Sequence, residues 1–141
     1  MPGGARRFES PVELVVSKRR LREILCKRRV VIALFTSPTC PACQMFKPIF
    51  YAYAAMAKEQ AGDDVAFIEV DVEVLLEEAL KLGVMATPTI LVFESCKPVD
   101  GFQGLVDPAT LAELLAPYTR AEIPVEDLER IWLDDHYLRF A

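Results

Sequence analysis

The sequence predicts an α/β domain. Its centre is a mixed sheet of three parallel strands followed by an antiparallel hairpin, flanked by helices, with an extra C-terminal helix. Three observations carry this. Val30-Val31-Ile32-Ala33-Leu34-Phe35 is a continuous apolar run, the pattern of a strand buried on both faces. Similar runs recur at 65–72 and 89–93, and segments of helical period separate them. The last two strands have too little chain between them for a crossover helix, so they are read as a hairpin.

Each element has its own signal. Pro11 to Val16 alternates weakly and reads as a short strand. Ser17 is a helix N-cap for Lys18 to Lys27, with Leu21, Ile24 and Leu25 on one face. After the strand Val30–Phe35, a helix is expected from Gln44 to about Lys58. It carries a stripe of Met45, Phe46, Ile49, Phe50, Tyr53 and Met56, with Pro48 inside it as an expected kink. Val65 to Val72 is a strand, and Val74 to Lys81 a short helix stopped by Gly83. Thr87-Pro88 opens the strand to Phe93. Residues 96–101 are read as a turn, with a short strand near Phe102. Asp107 caps a helix that has Pro108 at its first position and buries Leu111, Leu114, Leu115 and Tyr118. Pro124 to Arg139 forms a final amphipathic segment.

Composition narrows the class. The chain has 141 residues, enough for one domain with a sizeable core. Its formal net charge of −5 argues against nucleic acid as a partner. The basic cluster of Lys18, Arg19, Arg20, Arg22, Lys27, Arg28 and Arg29 is therefore read as a solvated face with local ion pairs. No apolar run reaches the roughly 20 residues of a membrane span. No apolar segment follows the basic N-terminus, so a cytoplasmic protein is expected. There is no asparagine, and there are ten prolines, a bias associated with thermophilic proteins.

The chemistry centres on Cys40-Pro41-Ala42-Cys43, which lies between a buried strand and a helix start. That placement is a redox arrangement. Unpaired N–H groups and the positive dipole end of the helix favour a thiolate at Cys40. Proline suits the first helical turn, where its missing N–H has no partner to lose. The same spacing is also half of a zinc site, which would need two further ligands from Cys26, Cys96 or His136.

Cys-Pro-Ala-Cys, Phe35, Pro48, Phe67-Ile68-Glu69-Val70-Asp71-Val72, Gly83 to Thr89 and Gly104 appear in an order that resembles the thioredoxin family. The similarity runs from Pro11 to about Tyr118. It implies a thioredoxin fold over residues 11–119, preceded by an arm (1–10) and followed by a helical extension (120–141). It further implies a cis Thr87–Pro88 peptide beside the cysteines and thiol–disulfide exchange through Cys40 and Cys43. Pro41, Ala42, Thr87 and Pro88 would support the site. Protein disulfides would be the substrates, and a thioredoxin-reductase-like protein the electron donor. No cofactor beyond the dithiol and no metal is expected.

The chain departs from the family at three places. Thr39 replaces the tryptophan before the first cysteine, Pro41-Ala42 replaces Gly-Pro, and Leu34 replaces a buried aspartate. Glu69, on the neighbouring strand, is the candidate to take over that acid's role of proton acceptor. The alternative is an ion-paired strand residue.

In such a sheet, Cys26 and Cys96 fall at the pole opposite the active site. They are either a structural disulfide, which would add roughly 4 kcal/mol in the chain-entropy model, or two unrelated thiols. His136 and Trp132 are read as surface or packing residues. The C-terminal helix either packs on its own domain or joins two copies in a homodimer. The competing function is a binding module with structural cysteines and the C-terminal extension as its partner surface.

Overall fold

The protein is described by a computed structural model covering the backbone of residues 10–140 and the side chains of residues 10–133. The arm before Ser10 and the side chain of His136 lie outside the described residues.

The elements follow in the order β1 (Glu13–Val15), α1 (Lys18–Lys27), β2 (Val30–Thr36), α2 (Pro41–Ala61), a 3₁₀ turn, β3 (Val65–Asp71), α3 (Leu76–Lys81), β4 (Thr89–Glu94), β5 (Lys97–Gln103), α4 (Pro108–Thr119) and α5 (Val125–Phe140). The five strands lie in the order β1-β3-β2-β4-β5. β3 is parallel to both β1 and β2, while β4 is antiparallel to β2 and to β5. This is the thioredoxin fold.

Alternation along the central strands sorts the core into two layers. Val30, Ile32 and Leu34 share one face with Val65 and Phe67; α2, α4 and α5 cover it with Phe46, Ile49, Phe50, Tyr53, Leu111, Leu115 and Leu128. Val31, Ala33 and Phe35 face the other way with Ile68 and Val70, against α1 and α3. A strand covered on both faces must be apolar at every position, which explains the unbroken run in β2. The helix starts obey their caps. Ser17 accepts the Arg20 N–H at 3.1 Å, and Asp107 accepts the Thr110 N–H at 2.8 Å.

Three expectations require correction. The helix α3 starts at Leu76 rather than Val74, because the Val74 and Leu75 N–H groups both donate to the Asp71 carbonyl and form a turn first. The helix α2 begins at Pro41 and continues past Lys58 to Ala61, with Pro48 inside it as expected. The expected turn at 96–101 is instead most of β5. The reversal is confined to Ser95 and Cys96, at φ 51° and 74°, a left-handed pair of the kind that closes tight hairpins. Pro98 is tolerated because β5 is an edge strand.

The hairpin turn lies beside the end of α1. Cys26 and Cys96 form a disulfide there, with Cα atoms 4.4 Å apart. The Ser95 N–H donates to the Arg29 carbonyl at 3.2 Å and adds a second tie. The α5 helix packs on α2 and α4 of its own chain. Leu128 is fully buried, and Ile131 and Trp132 rest against the same core.

Candidate active site

The polypeptide leaves β2 at Thr36 and turns through Ser37-Pro38-Thr39 before entering α2. The Cys40 N–H donates to the Ser37 carbonyl at 3.2 Å, closing that turn. Cys40 is the helix N-cap and Pro41 its first residue. The Cys43 N–H donates to the Cys40 Sγ at 3.1 Å, so sulfur takes the place that a serine or aspartate oxygen takes in an ordinary cap. A donor aimed at this sulfur is worth most when the sulfur is anionic. Cys40 is half-buried, whereas Cys43 is fully buried. The two are joined as a disulfide, with Cα atoms 5.2 Å apart.

Across the sulfurs lies the loop before β4. The Thr87–Pro88 peptide is cis, and the Thr87 carbonyl oxygen is 3.6 Å from the Cys40 Sγ. Two bonds fix this loop. The Thr89 hydroxyl donates to the Ala86 carbonyl at 2.7 Å, and the Gly104 N–H donates to the Pro88 carbonyl at 2.8 Å. Cys40, Cys43, Pro41, Ala42, Thr87 and Pro88 are therefore gathered in one place. A groove of about 310 Å³ continues from Thr87 along Met85, Val84, Leu80 and Leu76, and Met85 is 80% exposed.

Glu69 lies on β3, under α2, and is only 4% exposed. Its carboxylate has three donors. Tyr51 reaches one oxygen at 2.6 Å; Thr36 and the Lys47 ammonium reach the other at 2.7 and 2.9 Å. Burial pushes the carboxyl up, but these hydrogen bonds and the Lys47 charge outweigh it, and the net direction is down. Burial and the adjacent carboxylate push the Tyr51 phenol up. The ring of partners was not singled out in the sequence. The available signal was Lys47 and Tyr51, four residues apart on one helix face, with Lys47 a charge amid an apolar helix. A cavity of about 460 Å³, bordered by Pro38, Gln44, Lys47 and Glu69, joins this cluster to the surface near the active-site turn.

Cys26 and Cys96 are remote from this site. Among the described residues, no three His, Cys, Asp or Glu side chains gather as a metal site would require. Nor is any described helix long and apolar enough to cross a membrane.

A vicinal sulfur pair at a helix start, one sulfur reachable and one buried, facing a cis-proline loop, defines the thiol–disulfide oxidoreductases. The comparisons with known proteins reach the same class. The thioredoxin family model matches residues 12–117, and the chain belongs to the thioredoxin family. Thioredoxin of Oryctolagus cuniculus is 31% identical over 109 residues, covering 74% of this chain and 99% of that protein. The crystal structure of Malassezia sympodialis thioredoxin superposes with a TM-score of 0.70 at 26% identity, covering 79% of this chain and 93% of that one. NADPH-dependent thioredoxin reductase 3 of Arabidopsis thaliana is 37% identical over 67 residues, 48% of this chain but only 12% of that protein. The matched family segment ends before α5.

Proposed function

We propose that Cys40 is the attacking thiolate and Cys43 the resolving thiol in the reduction of protein disulfides. The Cys43 N–H bond to the Cys40 Sγ carries this assignment, because it gives one sulfur of the pair a preorganised donor. The Cys40 thiolate attacks one sulfur of the substrate. The substrate S–S bond breaks, and one substrate thiolate leaves. Cys43 loses its proton and attacks the Cys40 sulfur, and the second substrate thiolate departs. Two electrons pass to the substrate, and the Cys40–Cys43 disulfide remains. Pro41 and Ala42 set the turn of the helix. Thr87 and Pro88 present the carbonyl edge against which an extended peptide lies, with the apolar groove toward Leu76 beside it.

Glu69 was the candidate proton acceptor. Its three donors and lowered pKa support the role of an ionised anchor for α2 instead. On that reading, water takes the Cys43 proton. The electron donor is a thioredoxin-reductase-like protein, and the setting is cytoplasmic.

The experiment is insulin disulfide reduction by the wild type, by Cys40→Ser and by Cys43→Ser. Both variants lose turnover, and only Cys43→Ser accumulates a mixed disulfide, through Cys40. A mixed disulfide formed through Cys43 in the Cys40→Ser protein, with none formed through Cys40 in the Cys43→Ser protein, would reverse the roles.

A further inference from the structure

The Cys26–Cys96 disulfide is more than a staple. Both cysteines are exposed. Cys26 is in the last turn of α1, and Cys96 is half of a two-residue hairpin turn. A disulfide with both partners in open solvent is attackable, and exposed disulfides are the labile class. The surroundings are cationic: Lys27, Arg28, Arg29 and Lys97 are sequence neighbours of the two cysteines. The nearby acids include Glu23, which pairs with Lys27 and Arg20; Asp64, which pairs with Arg29; Glu94 at the end of β4; and Glu13 and Asp63, which share a cavity with Arg28. Basic neighbours draw in an attacking thiolate and favour a departing one.

We propose that Cys26–Cys96 is a second thiol–disulfide exchange site that accepts two electrons from an external thiolate. The two ends of the pair differ. Cys26 lies at the C-terminal end of α1, where the carbonyl dipoles disfavour an anion, whereas Cys96 sits in a turn next to Lys97. Attack therefore falls on the Cys26 sulfur. The Cys26–Cys96 bond breaks, and Cys96 leaves as the thiolate and takes up a proton. A second thiol then resolves the mixed disulfide at Cys26, and the donor ends as a disulfide. The reduced protein thus holds four electrons rather than two.

The source of the attacking thiolate is constrained by geometry. The seven-residue strand β2 separates the two sulfur pairs, about 20 Å at the rise of a strand. The dithiol of the same chain cannot reach this site while folded. The donor is a small thiol or Cys40 of a second copy. Only the second-copy route rests on the proposed role of Cys40.

The test mixes two proteins. The acceptor is the oxidised Cys40→Ser/Cys43→Ser variant, and the donor is the reduced Cys26→Ser/Cys96→Ser variant. Acid quenching, alkylation and peptide mass mapping count thiols at Cys26 and Cys96. Expected is loss of the Cys26–Cys96 cross-link, about tenfold faster or more with the donor than with glutathione at equal thiol concentration. Equal rates would assign the electrons to small thiols. With Cys43→Ser added to the donor, the trapped bond joins Cys40 to Cys26; a bond to Cys96 would overturn the direction of attack. A cross-link that survives both reductants overturns the site, provided the donor still reduces insulin; a donor inactive on insulin would instead refute the role of Cys40. Free thiols at both positions in the air-oxidised acceptor would also overturn it. Should the acceptor fold poorly, the wild type is titrated with dithiothreitol and read peptide by peptide. Opening of Cys26–Cys96 before any loss of circular dichroism supports the site, and opening only on unfolding sinks it.

Discussion

Leu34 and Glu69 stand side by side in the parallel register of β2 and β3. Leu34 occupies the position where the resemblance would place a buried acid, and the acid of this chain sits one strand away. Both residues belong to the sheet face covered by α2, where Leu34 is fully buried and Glu69 is 4% exposed. The space under the active-site helix thus holds one carboxylate, with its charge answered by Lys47.

An acid at both positions is therefore expected to fail. Leu34→Asp would set a second carboxylate roughly 5 Å from the strand that carries Glu69. Two such groups cannot both stay ionised in a buried site. The lost leucine packing and the buried charge together should cost about 4 kcal/mol or more. Urea denaturation measures this. Adding Glu69→Leu should recover part of the loss, and an additive double variant would show that the two positions do not interact.

Lys47 and Glu69 should respond unequally to mutation. Lys47→Met leaves a buried carboxylate with only the Tyr51 and Thr36 hydroxyls, and breaking such a pair costs about 3 kcal/mol. Glu69→Gln keeps an acceptor for those hydroxyls, and Lys47, whose side chain is 32% exposed, can turn to water. A loss of about 1 kcal/mol is expected. Equal losses in urea titrations would mean that Lys47 contributes through its packing and not through its charge.

Much of this was legible in the residues. The apolar run of β2, the capping residues Ser17 and Asp107, and the order of the cysteine pair and Pro88 are local signals that tertiary structure left in place. What was not legible is informative. The Ser95–Cys96 turn lacks the glycine or asparagine that usually marks left-handed pairs, so local pattern shows only a fragment of β5 near Phe102. The disulfide at Cys96 and the Arg29 carbonyl bond lie 65 or more residues away along the chain, beyond any window of local pattern. The ring around Glu69 was missed for the same reason: Thr36, Tyr51 and Lys47 come from two different elements.

The C-terminal helix should be part of the stability of this domain. Leu128 is fully buried against the layer formed with α2 and α4. Leu128→Ala should cost about 2–5 kcal/mol in urea or thermal unfolding. A loss below 0.5 kcal/mol would mean that α5 is dispensable to the fold.

Beneath that helix, the Tyr53 hydroxyl and the Thr119 hydroxyl are 2.9 Å apart, and both residues are buried. Thr119 donates to the Leu115 carbonyl and accepts the Ala121 N–H, so it joins α4 to the chain that leads into α5. In this arrangement the Tyr53 hydroxyl is the donor to Thr119. Tyr53→Phe should cost about 1 kcal/mol, and Thr119→Val more, because Val strands both the Tyr53 hydroxyl and the Ala121 N–H. Chemical denaturation of the two variants checks the order.

The pH dependence of stability should carry the signature of Glu69. Its carboxyl lies below the ordinary glutamate range in the folded protein: burial raises it, and the bonds from Tyr51, Lys47 and Thr36 lower it by more. A depressed acid contributes stability that is complete above the unfolded value and fades as pH falls through the folded value. Glu13 and Asp107 are also depressed, so the wild-type curve alone cannot assign the effect. The difference between wild type and Glu69→Gln isolates it. That difference should be flat above about pH 5 and should shrink as pH falls below the ordinary carboxylate range. In Lys47→Met the ammonium is gone and burial regains weight, so the folded value rises toward the unfolded one and the loss on acidification should be smaller. Urea midpoints from pH 3 to 7 for the three proteins decide the matter. A difference curve independent of pH would show that folding leaves the Glu69 carboxyl at its unfolded value, and one that grows as pH falls would show that folding raises it.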